Sequence, residues 1–152
     1  MSSLSSATNF ARAAADAKTN RLVYLGGLVP QDAPPSRHLR SRLAVEEALL
    51  EAVPSSIAFR ASIVIAAKSR SFRFLVRLIE RLPVLALPGW RVHRTQPVDG
   101  RDVLEFLAAA ATADDERAGS WDIAGPDVLS YQQMMERIAD AMLIDRPKVG
   151  LG

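Results

Sequence analysis

The chain has 152 residues, a formal net charge of +2, and 49% hydrophobic residues. It contains no cysteine, which excludes disulfides, thiol nucleophiles and thiolate metal sites, and its two histidines leave little material for a metal centre. No apolar stretch reaches the roughly 20 residues of a membrane span, and no signal-type segment opens the chain. We therefore expect one domain that works in the cytoplasm, without a metal or a membrane.

The first third of the chain predicts a helix, a buried strand and a second helix. Residues 8–17 are rich in good helix formers. Arg21–Leu25 is a short apolar run with β-branched and aromatic members, followed by a loop over 26–35 that contains paired glycines and paired prolines. Ser36 is a suitable N-cap for a helix over 37–52, whose apolar residues recur at three- and four-residue steps.

The middle of the chain continues the alternation of strands and helices. Ile57–Ala66 is rich in β-branched residues and predicts a second buried strand. A helix is predicted over 70–82, and the short apolar segment Pro83–Pro88 after it is irregular or an edge strand. Asp99 is a suitable cap for a helix over 100–111.

The last third predicts one more strand and one more helix. Ser120–Ile123 reads as a short strand. Ser130 and Gln133 have the spacing of a capping box that opens a helix over 131–143, and we expect the tail after it to be loose. Strands that alternate with helices of this length are typical of an α/β fold with a parallel sheet.

The paired glycines Gly26 and Gly27 follow a buried strand, and a helix carrying His38 and Arg42 begins about ten residues later. In α/β proteins, ligands bind at the carboxyl ends of parallel strands and at the start of the following helix. No Gly-x-Gly-x-x-Gly motif occurs in the chain, so the usual phosphate-binding turn of a dinucleotide fold is absent from it.

Several fragments in a fixed order resemble a known family. Together they resemble the C-terminal half to two-thirds of an atypical, extended member of the short-chain dehydrogenase/reductase superfamily, close to the NAD(P)-binding epimerase/dehydratase and NmrA-like groups. The fragments, which run through nearly the whole chain, are Asn9–Ala14, Leu22–Gly27, Ser36–Arg42, Val45–Glu47, Phe59–Val64, Gln96–Pro97, Arg101–Val103 and Trp121–Pro126.

The resemblance implies a set of site residues. His38 and Arg42 stand where active members carry the tyrosine and lysine of a Tyr-x-x-x-Lys motif, and Gly26 and Gly27 stand where such members supply a serine or threonine. Histidine can exchange a proton near neutral pH, whereas arginine binds oxygen atoms without acting as a base. The cofactor implied is NAD or NADP, with a small-molecule substrate if the protein is active. The expected cofactor-binding residues are Gly26, Gly27, Arg60, Ala61 and Ser62.

The resemblance also implies an incomplete, partial Rossmann-type domain. We expect a sheet-and-helix part over 8–82 and a part resembling a substrate lobe over 83–147. Ala66 and Ala67 stand where the family usually has a glycine, and we expect a methyl group to crowd the site there. Because the Gly-rich half is absent, we expect the chain to be inactive alone and to need a missing N-terminal segment or a homo-oligomeric partner.

Three functions remain open from the sequence: an NAD(P)-dependent oxidoreductase or nucleotide-sugar epimerase/dehydratase, a non-catalytic module that binds a partner or a nucleotide, and a nucleic-acid-binding protein. The third rests on a row of arginines on one helical face, and the modest net charge makes nucleic acid the least favoured partner. The plainer interpretation is a solvated face opposite an apolar stripe. The arginines are Arg70, Arg73, Arg77 and Arg81, and the stripe is Phe74, Leu75, Leu78, Ile79 and Leu82.

Overall fold

The protein is seen in a computed structural model that describes residues 3–30, 34–81, 85–87, 92–144 and 148–150. Helices and strands alternate along these residues. The helices are α1 (Ser3–Asp16), α2 (Arg37–Ala52), α3 (Arg70–Arg81), α4 (Gly100–Ala111) and α5 (Tyr131–Ala141). The strands are β1 (Val23–Gly27), β2 (Ile57–Ala61), β3 (Val64–Ile65), β4 (Leu85–Leu87), β5 (Arg94–Thr95), β6 (Val98–Asp99), β7 (Gly119–Ile123), β8 (Leu129–Ser130) and β9 (Lys148–Gly150). Of the helices in these ranges, none is both long and apolar enough to cross a membrane.

The chain divides into two compact units, of which the first comprises Met1–Ala61 and Asp102–Ile123. Its centre is a three-stranded parallel sheet in the order β1-β2-β7. The middle strand β2 is the most buried, since Ile57 and Ala58 retain 2% and 0% of their exposure. This sheet with its flanking helices confirms the predicted α/β class.

The helices of the first unit bury small and apolar residues. Helix α1 packs against α2 and buries Ala11 and Ala14. Ser36 caps α2 as predicted, because its hydroxyl accepts from the Leu39 amide at 3.2 Å. The rings of Phe59 on β2 and Phe106 on α4 meet with their centroids 5.9 Å apart in a tilted arrangement.

The second unit comprises Ser62–Arg101 and Ala124–Gly152. It contains the parallel pairs β3–β6 and β4–β9 and the antiparallel pair β5–β8. Helices α3 and α5 form its core with the buried residues Leu75, Ile79, Met134, Met135 and Ala139. The boundary expected at residues 82–83 lies outside the described residues.

Two predicted strands differ from the observed ones. Strand β1 is Val23–Gly27, so it begins after Arg21 and includes both glycines. The predicted strand over 57–66 is two strands, because the chain bends at Ser62 and changes partners: β2 pairs with β1 and β7, whereas β3 pairs with β6. A run of β-branched residues predicts extended backbone but does not reveal where its pairing partner changes.

The helix ends also differ in places. Helix α1 begins at Ser3, five positions before the predicted start at residue 8. Helix α5 opens with the predicted capping box but ends at Ala141, because Leu143 adopts a left-handed φ of 56°. The Ile144 amide then donates to the Ala139 carbonyl at 3.0 Å, which satisfies one of the last carbonyls of the helix.

Leu85–Leu87 and Lys148–Gly150 form a pair of strands. Leu85–Leu87 is strand β4, and the rest of the Pro83–Pro88 segment lies outside the described residues. The prediction of a loose tail is wrong for Lys148–Gly150, which pairs in parallel with β4 from Leu85–Lys148 to Leu87–Gly150. The sequence does not reveal this strand, because three residues are too few to show the alternation that indicates a strand.

Candidate functional site

The candidate site of the first unit begins at the carboxyl ends of β1 and β2. The two strands run in parallel and in register there, with Gly26 opposite Arg60 and Gly27 opposite Ala61. The structure therefore brings together four of the five residues expected to bind the cofactor. The fifth, Ser62, lies in the second unit, where its hydroxyl oxygen is 2.9 Å from that of Thr95.

The two glycines differ in the space around them. A β carbon at Gly26 would lie 3.2 Å from the Tyr24 ring and 3.3 Å from a carboxylate oxygen of Glu46. A β carbon at Gly27 would meet only the end of the Leu39 side chain, at 3.3 Å. Gly26 therefore has no room for a side chain unless Tyr24 and Glu46 move. At Gly27, a small side chain would require only a shift of the flexible end of Leu39.

His38 and Arg42 lie one helical turn apart on α2 but have different surroundings. The His38 side chain is exposed near the start of the helix. Arg42 is half-buried, and its Nη2 donates to the Leu25 carbonyl of β1 at 2.7 Å. The Tyr24 hydroxyl donates to the Arg42 carbonyl at 3.4 Å. Residues of β1 thus accept one hydrogen bond from Arg42 and donate another to it. The buried Nε of Arg42 has no hydrogen-bond partner among the described residues.

The sequence analysis assigned no role to Glu46, which the structure places in this region. Its side chain is 4% exposed, one helical turn beyond Arg42 on α2. It accepts from Nη2 and Nε of Arg60 at 2.7 and 3.0 Å and from the Ser120 hydroxyl at 2.6 Å. The steps from His38 to Arg42 to Glu46 are both four residues, a spacing that places all three on one helical face and could have revealed it.

The Glu46–Arg60 pair fixes the charge at the end of β2. The hydrogen bond to Glu46 raises the pKa of Arg60, burial opposes this, and the charges of Glu46 and Asp122 add to the rise. Arg60 therefore remains a cation whose guanidinium is held by a buried carboxylate. Of the residues predicted to bind the cofactor, Arg60 thus has a structural partner within its own unit.

Chemically, this corner offers an imidazole, a guanidinium held on a backbone carbonyl, and the backbone of two glycines. Neither position 26 nor position 27 supplies a side-chain hydroxyl. Within the described ranges, no group of three or more His, Cys, Asp or Glu side chains is arranged to hold a metal ion. The His38 imidazole gives this corner a group whose ring nitrogens can donate or accept a proton.

Comparison with solved structures finds proteins with the same architecture. The protein MoeE5 in complex with UDP-glucose and NAD matches with a TM-score of 0.76 and 18% identity, over 96% of this chain and 56% of that one. UDP-glucuronic acid 4-epimerase from Bacillus cereus, in complex with UDP-glucuronic acid and NAD, matches with a TM-score of 0.75 and 15% identity, over 97% and 54% of the two chains. The chain therefore shares the fold of these two proteins over about half of their length. At these identities the likeness is one of fold.

Sequence comparison finds a curated relative. The mitochondrial NADH dehydrogenase [ubiquinone] 1 alpha subcomplex subunit 9 of Arabidopsis thaliana is 31% identical over 107 residues, which are 70% of this chain and 27% of that protein. No family model matches the chain. The chain thus spans about half the length of these solved structures and about a quarter of the curated relative.

Proposed function

We propose that this chain is part of an NAD(P)-dependent oxidoreductase or nucleotide-sugar epimerase/dehydratase, with the nicotinamide end of the cofactor bound at the Gly26–Gly27 corner. The observation that carries the proposal is the register of β1 and β2. It aligns Gly26 and Gly27 with Arg60 and Ala61 at the carboxyl ends of two parallel strands, where α/β folds bind ligands. The solved structures of like fold, which are NAD complexes, support the choice of cofactor.

The residues at this corner could contribute to binding a cofactor and to exchanging a proton. A cofactor of this kind supplies hydride transfer, so the protein needs to bind, orient and exchange a proton. The space beside Gly27 is bordered only by the flexible end of Leu39, and the exposed His38 imidazole can hold or move a proton. Arg42 holds α2 against β1 through its hydrogen bond to the Leu25 carbonyl. Its role at this corner is therefore to position α2 rather than to contact the cofactor.

Titration of the folded 152-residue chain with NADH and NADPH, followed by nicotinamide fluorescence, tests the proposal. We expect saturable binding of one of the two cofactors. His38→Ala is expected to weaken it about threefold, the effect of roughly one lost hydrogen bond. Arg40→Ala is the matched control, because Arg40 is equally exposed two residues away and its guanidinium donates to the Pro35 carbonyl. A folded chain that binds neither cofactor contradicts the proposal.

A second candidate function is a non-catalytic module that binds a protein partner. Two observations favour it: Arg42 is already engaged by the Leu25 carbonyl, and the curated relative is named as a subunit of a larger enzyme. Under this function, His38→Ala leaves the biological activity of the protein unchanged and the folded chain ignores both nicotinamides. Loss of that activity in a folded His38→Ala variant would contradict it.

A further inference from the structure

Helix α3 carries a concentration of positive charge on its exposed face. Four exposed arginines follow one another at steps of three, four and four residues, a spacing that places them on one face over ~16 Å of helix. This arginine row is Arg70, Arg73, Arg77 and Arg81. Residues 68–81 contain five basic residues and one acidic residue, so their net charge is +4, whereas that of the whole chain is +2.

The other helices of the described residues mix positive and negative charge. Helix α2, for example, contains three arginines and three glutamates. No salt bridge in the described part of the chain involves the arginine row, whereas Arg60, Arg101 and Arg137 each have a carboxylate partner. The exposed face of α3 therefore presents charge of one sign, which attracts an anionic partner.

The arginine row does not serve the stability of α3. Arg70 and Arg73 lie in the first turn, where the positive end of the helix dipole repels cations, and that turn contains no acidic residue. Like charges three or four residues apart on a helix also repel each other. Only Arg81, in the last turn, is placed favourably. An anionic surface against this face would relieve the repulsion.

The apolar stripe expected on α3 is only partly buried. Leu75 and Ile79 retain 4% and 0% of their exposure, whereas Phe74 is 61% exposed. The prediction that placed Phe74 in the stripe was wrong because the buried face of the helix is centred on Leu75 and Ile79. Leu78 is half-buried, and Leu82 lies outside the described residues.

The exposed Phe74 ring lies at the border of the arginine row. Phe74 follows Arg70 by four positions and precedes Arg77 by three, so it is a neighbour of both on the helix surface. Basic side chains together with an exposed phenyl ring are typical of helices that lie on an anionic membrane surface.

The protein core holds α3 in place behind its exposed face. Leu75 and Ile79 pack in one cluster with buried residues of α5. At the start of α3, the Ser69 hydroxyl accepts from the Phe72 amide at 3.3 Å. Because the helix is already ordered, it does not have to fold when a partner binds.

We propose that the exposed face of α3 binds the surface of a membrane that contains anionic phospholipids, with the arginine row against the lipid headgroups and Phe74 inserted among them. Clusters of four to eight basic residues on an amphipathic helix are typical of such binding. A helix that lies on a membrane needs no apolar span, so the lack of a span, from which we expected no membrane, does not oppose it. The whole face belongs to the second unit, and the proposal is therefore independent of the cofactor corner.

A lipid surface fits this face better than a nucleic acid does. Proteins that bind single strands combine a basic groove with several rings on which successive bases stack. Helix α3 presents the convex side of a single helix, and Phe74 is its one strongly exposed ring. A bilayer is broad enough to meet the whole arginine row at once.

Co-sedimentation of the 152-residue chain with vesicles tests the proposal. One set of vesicles is pure phosphatidylcholine, and the other contains equal parts of phosphatidylcholine and phosphatidylserine. We expect the chain to bind only the second set, and rising salt to weaken the binding because it screens exposed charges. Arg73→Gln and Arg77→Gln should each weaken it about fivefold, the effect of one basic residue near an anionic surface.

Matched variants separate this face from the charge of the chain as a whole. Arg12→Gln removes an exposed arginine of α1, in the first unit, and should change the affinity by less than about twofold. Phe74→Ala keeps every charge and should still weaken the binding. The proposal is overturned if the two sets of vesicles bind equally or not at all, if Arg12→Gln matches Arg77→Gln, or if Phe74→Ala binds like the wild type.

An oligouridine distinguishes a nucleic acid from a lipid. Binding of the oligouridine without binding of the anionic vesicles would assign the arginine row to a nucleic acid and overturn the proposal. Far-UV circular dichroism confirms that each variant is folded. Because it removes repulsion within the arginine row, Arg77→Gln should be at least as stable as the wild type in thermal unfolding. None of these measurements involves a nicotinamide.

Discussion

Gly100 has no room for a side chain because Ala66 fills the space above it. A β carbon built at Gly100 would lie 2.7 Å from the Ala66 β carbon and 3.4 Å from the Ile65 carbonyl oxygen. The methyl group that was expected to crowd a ligand at Ala66 thus faces a glycine at the start of α4. One member of this pair has to be a glycine, and in this chain it is the one at position 100.

This contact predicts a reciprocal pair of substitutions. Gly100→Ala is expected to lower the free energy of unfolding by about 1–3 kcal/mol, the usual cost of overpacking. Adding Ala66→Gly should restore most of that loss, because it removes the methyl group that the new side chain meets. Urea denaturation of the two single variants and the double variant measures both effects. Losses that simply add in the double variant would show that the two residues do not share this space.

The buried carboxylate of Glu46 predicts a strong dependence on Arg60. Arg60→Met leaves Glu46, whose side chain is 4% exposed, with the Ser120 hydroxyl and without its cation, and should cost about 3 kcal/mol. Arg137→Met is the control, because the Arg137–Asp127 pair is exposed at both ends and should contribute less than about 1 kcal/mol. Chemical denaturation compares the two. Equal small losses would mean that water reaches Glu46.

Arg42 is expected to contribute more to stability than His38, which lies one turn earlier on α2. Arg42→Met removes the 2.7 Å bond to the Leu25 carbonyl and should cost about 1.5–3 kcal/mol, as expected for a hydrogen bond from a charged group. His38→Ala should change the free energy of unfolding by less than about 0.5 kcal/mol, because the His38 side chain is exposed. A stability loss in His38→Ala as large as in Arg42→Met would contradict the different surroundings seen here.

The paired glycines should respond differently to the same change. Gly26→Ala places a methyl group 3.2–3.3 Å from the Tyr24 ring and the Glu46 carboxylate, and should cost about 1–3 kcal/mol. Gly27→Ala meets only the flexible end of Leu39 and should be close to neutral. Thermal unfolding of both variants tests this difference, and the reverse order of stabilities would refute it. Position 27 is therefore the better place to introduce a serine hydroxyl.

The elements that sequence predicted well are those with a local physical signal. The Ser36 cap and the Ser130–Gln133 capping box were found because each depends on side chains within one helical turn of its backbone partner. The parallel sheet followed from alternation of strands and helices. Strand β9 was missed because its partner β4 lies about 60 positions earlier in the chain and only tertiary contact defines it.

The candidate site was predicted in part for the same reason. Gly26 and Gly27 follow a buried strand, which is a local pattern, and their alignment with Arg60 and Ala61 follows from parallel pairing. The engagement of Arg60 by Glu46 joins residues on α2 and β2, and no spacing within either element shows it. Sequence thus identified the residues of the corner but could not show which of them already had a partner.

Asp99 gives a prediction for the dependence of stability on pH. The Arg101 guanidinium and then the Arg101 amide hydrogen-bond the Asp99 carboxylate and lower its pKa from 3.8 to about 2. A carboxyl group whose pKa is lower in the folded state stabilises the fold above its unfolded pKa and loses this contribution as the pH falls toward its folded pKa. Asp99→Asn should therefore be less stable than the wild type at pH 6, with a gap that closes between about pH 4 and pH 2. Urea denaturation across this range measures the difference in stability between the two proteins. In an Arg101→Gln background, Asp99→Asn should cause a smaller loss of stability at pH 6, because the guanidinium that lowers the Asp99 pKa is gone. Parallel stability curves for Asp99→Asn and the wild type would show that Asp99 titrates alike in the folded and unfolded chains.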